Sequence, residues 1–136
     1  MSYIYLASPY THPDRKVMQE RYDRTCNAAA RLILDGHVVF SPIAHSHSIG
    51  GYLPEPVRLG HELWMRQDRA LLRHARELWM LTLHGWEESR GMTVERELAE
   101  RLGIPVRFVA PPDSGAACVR PPATIVDEAA VPVAPI

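Results

Sequence analysis

Gly85-Trp86-Glu87-Glu88-Ser89-Arg90-Gly91-Met92-Thr93-Val94-Glu95-Arg96-Glu97-Leu98-Ala99 is the stretch whose reading decides the fold. It follows a short apolar run, residues 78–83, that reads as a buried strand. It continues into a helical pattern with Val94, Leu98, Ala99 and Leu102 on one stripe. A small-residue turn between a buried strand and a helix start is where α/β proteins bind ligands. Here the turn carries the Ser89 hydroxyl, Gly91 and, one helical turn on, the Glu95 carboxylate. The bland reading of Glu95 is a glutamate that merely complements the helix dipole. The functional reading is an anion, stabilised by that dipole and suited to nucleophilic work. Glu97 projects from another side of the helix and is expected to be more exposed.

Working outward, residues 3–7 (Tyr-Ile-Tyr-Leu-Ala) read as a central parallel strand, apolar on both faces. Two prolines make 8–13 a loop. Residues 14–34 read as a long helix ended by Asp35-Gly36, and 37–40 as a second strand stopped by Ser41-Pro42. Residues 42–60 show no clear period and carry histidine, proline and glycine clusters. They are expected to form a lid or substrate-facing loop. A helix over 62–74, the strand at 77–83, a helix over 93–102 and a strand at 105–109 complete the pattern. This order predicts an α/β, Rossmann-like (flavodoxin-like) parallel sheet of four to five strands, order 2-1-3-4, with helices on both faces. The loops after the first and third strands then face each other across the switch-point crevice. That placement brings Tyr5, Ser8, Ser89, Gly91 and Glu95 around one pocket.

The totals fit one domain over 1–110, followed by a Pro/Ala-rich tail over 111–136 that holds half of the chain's twelve prolines. That tail is expected to be disordered or loosely docked. With 46% apolar and 23% charged residues the composition is that of a globular protein. A formal net charge of -1 gives no bulk pull toward nucleic acid or anionic membrane. The apolar runs are too short to span a bilayer. The first residues lack the marks of a signal peptide, and Cys26 and Cys118 have no metal or redox spacing, so a cytoplasmic location is expected.

Asp68 is the second candidate. It is either a surface residue paired with Arg69 or Arg73, or an inward carboxylate beside Glu95. Two carboxylates in one pocket split their pKa values, as cleavage of a glycosidic bond requires. His45 and His47 alternate, as metal ligands on an extended segment would, but no third ligand with metal spacing accompanies them. They read as pocket lining or base contacts, or as plain loop histidines. Trp86 sits where an indole could cover a flat ligand. No Walker, Gly-x-Gly-x-x-Gly or Gly-x-Ser-x-Gly element is present, which argues against a nucleoside triphosphatase, a dinucleotide oxidoreductase or a serine hydrolase.

Tyr5-Leu6-Ala7-Ser8-Pro9-Tyr10, Asp68, and Ser89-x-Gly91-x-x-x-Glu95 followed by Ala99 resemble the nucleoside 2-deoxyribosyltransferase superfamily, which includes 2'-deoxynucleoside 5'-phosphate N-hydrolases. The branch it resembles is marked by Ser41-Pro42-Ile43-Ala44-His45-Ser46-His47 and Gly85-Trp86-x-x-Ser89-x-Gly91. The resemblance covers residues 3 to about 109. It implies that Glu95 attacks C1' of deoxyribose, that Asp68 orients the sugar or relays a proton, and that Tyr5 places the nucleophile. Ser89 would contact the sugar 5'-oxygen or a 5'-phosphate. It implies no metal or organic cofactor, a nucleoside or nucleotide as substrate, and a homodimer or higher homo-oligomer. One departure stands out: the loop after the first strand lacks the glycines of the phosphate-hydrolysing members. Arg15, Ser8 or the histidine segment are left as anion partners. A sensing or binding module of the same fold without turnover is the alternative.

Overall fold

The computed structural model describes residues 2–58 and 60–112. Strand β1 (Ile4–Ala7) is buried along its whole length, as its unbroken apolar run requires. Strands β2 (Val39–Phe40) and β3 (Glu77–Leu81) pair with it in parallel on either side, and β4 (Val106–Val109) pairs in parallel with β3. The sheet order is β2-β1-β3-β4, so the chain adds strands to one side of β1 and then to the other, all of them parallel. All four strands therefore end at one edge, and the switch point lies over the two central strands.

Helix α1 (Arg15–Leu34) begins at Asp14, whose side chain accepts from the Lys16 N–H. Helix α4 (His61–Leu72) leads into β3, and helix α5 (Arg90–Leu102) leads into β4. The sheet has helices on both faces. Leu6 packs with Ala28 and Ala29 of α1. Tyr5 and Ala7, pointing the other way, pack with Leu72 of α4 and Met92, Leu98 and Ala99 of α5. Each such fully buried large side chain contributes roughly 1.5–3 kcal/mol relative to exposure.

Residues 42–60 differ from the loop that the sequence predicts. Helix α2 (Pro42–Gly50) starts directly after β2, and a short turn of helix, α3 (Glu55–Arg58), follows. The cause is local. The Ser41 side chain caps the Ala44 N–H, and Pro42 occupies the first helical turn, where its missing N–H is harmless. A proline that stops a strand here also opens a helix. The helix before β4 likewise starts at Arg90 rather than at residue 93, and the second strand is confined to Val39–Phe40. No described helix is long and apolar enough to cross a membrane. The expected tail lies, beyond residue 112, outside the described residues.

Candidate functional site

Tyr5 sits in the middle of β1, and its side chain is fully buried under α4 and α5. Its hydroxyl donates to Glu95 Oε1 at 2.7 Å, joining the central strand to α5. Glu95 is only 6% exposed, on the inward stripe with Met92, Leu98 and Ala99. Among the described residues Oε2 has no hydrogen-bond partner, and no fully buried side-chain oxygen lacks one. Oε2 therefore keeps some contact with solvent.

The charge state differs from the sequence expectation. Burial pushes the Glu95 carboxyl up from 4.5 to about 8; the Tyr5 hydrogen bond pulls it down and the nearby Asp68 pushes it up further. Glu95 is the sixth residue of α5, past the turn where the helix dipole acts, so desolvation outweighs the dipole. At neutral pH the free protein holds Glu95 largely protonated.

Asp68 lies on α4, half-buried, and forms neither of the ion pairs with Arg69 or Arg73 that a surface role predicts. Burial raises its carboxyl from 3.8 to about 6. Its charge raises both Tyr5 and Glu95, so the three groups share one electrostatic environment. Burial, then Glu95 and Asp68, hold the Tyr5 phenol well above its ordinary range, and it stays a donor. Two carboxyls with values near 6 and 8 carry a single proton between them over that interval. One group can attack or stabilise while the other manages a proton.

The other expected residues fall in different places. Ser89 is the N-cap of α5, and its hydroxyl oxygen accepts from the Met92 N–H at 3.3 Å. Gly91 is half-buried with open space beyond its Cα. Ser8 is buried: its Oγ lies 3.0 Å from Thr25 Oγ1, which lies 2.7 Å from the Arg21 carbonyl oxygen. A carbonyl only accepts, so Thr25 gives its hydrogen to Arg21 and Ser8 donates to Thr25. Arg15 reaches toward Glu55 at 3.9 Å on the surface. Trp86 opens a single 3-10 turn and packs on the core and on Phe108, with ring centroids 5.4 Å apart.

His45 and His47 sit on α2, so they project from different sides of a helix rather than from one side of a strand. His45 is exposed, its ring 5.7 Å from Phe40. His47 stacks on Tyr22 at 3.9 Å, and its Nδ1 lies 2.6 Å from the Tyr10 hydroxyl. Among the described residues no group of three or more histidine, cysteine, aspartate or glutamate side chains could hold a metal ion.

Tyr10, Arg21 and Tyr22 carry no site role in the sequence reading. Arg21 lies one turn before Thr25 on the α1 stripe that also carries Ala28 and Ala29. A charged residue on a buried stripe is the signal that could have found it.

Residues 2–110 match the family described as Domain of unknown function (DUF1937), and the chain belongs to that family. No curated protein matches the chain.

Proposed function

We propose that this protein is an N-glycosidase or transferase acting on the N-glycosidic bond of a deoxynucleoside or its 5'-monophosphate. The observation that carries the reading is the buried Tyr5–Glu95 bond between β1 and α5, with Asp68 in the same electrostatic environment. The resemblance to the nucleoside 2-deoxyribosyltransferase superfamily supports the same reading through Tyr5, Asp68 and Ser89-x-Gly91-x-x-x-Glu95.

In this account the proton on Glu95 leaves through Asp68 as substrate binds. Glu95 Oε2 then attacks C1', the C1'–N bond breaks, and its electron pair goes to the departing base. Asp68 delivers the proton to that base nitrogen. Water next attacks C1', gives a proton to Asp68 and frees the Glu95 carboxylate; a second base in place of water makes the reaction a transfer. Tyr5 holds Oε1, which leaves Oε2 aimed and undivided. The superfamily resemblance also carries an assembly of more than one copy, which light scattering on the full chain reads directly.

A second reading, a binding or sensing module, is favoured by one observation: a neutral Glu95 donates a hydrogen bond but does not attack carbon. Incubation with a panel of deoxynucleosides and their monophosphates, followed by chromatography for free base, separates the two. Base release is expected; saturable binding without it would make the protein a sensor.

A further inference from the structure

Beyond Ala7 and Met80 the ladder between the two central strands stops. The loop after β1 and the loop after β3 leave the sheet side by side at the switch point, where α/β folds form a ligand crevice. No backbone–backbone hydrogen bond among the described residues joins those two loops. Arg21 does. Its Nη1 donates to the Thr11 carbonyl at 3.1 Å and toward that of Tyr10 at 3.5 Å, and its Nη2 donates to the His84 carbonyl at 3.4 Å. A planar guanidinium can serve acceptors on two sides at once; an ammonium on a flexible stem cannot hold the same fork. Gly85 completes the arrangement. Its φ is +89°, and a Cβ there would lie 2.5 Å from Arg21 Nη2. Glycine at that position therefore supplies both the left-handed backbone and the room for the guanidinium.

We propose that Arg21 is a positioning residue: it ties the β1 loop to the β3 loop across the switch point and sets the width of the crevice that holds the substrate. This rests on the crevice being the substrate site. The reacting pair is built differently, on β1 and within α5, and is closed by its own bond. Loss of Arg21 therefore loosens substrate binding and leaves the acid–base groups as they are.

The test uses the full chain as Arg21→Ala, Arg21→Lys and Gly85→Ala. Hydrogen exchange should rise about tenfold or more at the bonded amides of both loops, Asp14 and Trp86, together, in Arg21→Ala and Gly85→Ala alike, with β1 and the interior of α5 unchanged. Arg21→Lys should not restore protection. In base-release assays KM should rise about tenfold with kcat within about twofold and the pH profile unmoved. Added methylguanidinium should lower the KM of Arg21→Ala. Faster exchange in one loop only, in neither, or throughout the protein would overturn the proposal, as would a fall in kcat at constant KM. Should Arg21→Ala fail to fold, Gly85→Ala displaces the same guanidinium and reads the same exchange. If the wild type releases no base, the functional reading fails, and the exchange result still decides the tie.

Discussion

Tyr5 and Glu95 lie ninety residues apart in the chain and share a hydrogen bond of 2.7 Å. Glu95 was legible as a candidate because it follows a glycine-bearing turn; its Tyr5 partner was legible through the topology and the superfamily resemblance. What could not be read was its protonation, since a sequence shows helix position but not how completely α4 and β1 cover the carboxyl. Two substitutions test that electrostatic account with opposite signs. Tyr5→Phe removes the bond that lowers the Glu95 pKa, so the Glu95 carboxyl should titrate at higher pH. Base release at neutral pH should then fall about ten- to a hundredfold, as expected for loss of a hydrogen bond to a charged group. Asp68→Asn removes a charge that raises Glu95, so the same carboxyl should titrate at lower pH even as the relay is lost. Titrations that shift in the same direction, followed by carboxyl NMR of Glu95 in the two variants, would refute the arrangement.

At the scale of elements, α5 was foreseen and α2 was not, for reasons of period. Residues 94–102 carry a strong apolar stripe; 42–50 carry two isoleucines among histidines, serines and a terminal glycine, and only the Ser41 cap with Pro42 marks a helix start. Seen as a helix, that segment splits His45 from His47 and removes the geometric basis for a shared metal. Ser89 has a structural role as cap and a proposed role at the sugar, and the two can be separated. Ser89→Ala should cost about 1 kcal/mol of stability through the lost cap. Ser89→Asp should keep the melting temperature, because aspartate caps equally well, while still weakening substrate binding. Wild-type affinity in Ser89→Asp, measured by calorimetry with a deoxynucleoside monophosphate, would confine Ser89 to the cap.

For the whole molecule, alternating strand and helix patterns sufficed to foresee the sheet order, because right-handed crossovers leave few alternatives. They did not foresee the contacts between loops, which depend on where long side chains such as Arg21 come to rest. The buried acid pair also gives the fold a pH dependence whose sign follows from linkage. Below about pH 4.5 Glu95 is protonated whether folded or not. From there to about pH 8 the unfolded chain ionises while the native state keeps its proton. The native state then binds more protons, so stability falls as pH rises through that window; Asp68 adds in the same direction from 3.8 to about 6. The loss should be on the order of a few kcal/mol. Melting temperature measured from pH 5 to 8 should decline for the wild type and decline much less for Glu95→Gln. Equal slopes would place Glu95 in solvent.

The most direct measurement of the central claim is release of free base by Glu95→Gln beside the wild type, at matched melting temperature, across the panel of deoxynucleosides and monophosphates. The wild type should turn over, and the variant should lose about three orders of magnitude or more. Undiminished base release by a folded Glu95→Gln protein would contradict it.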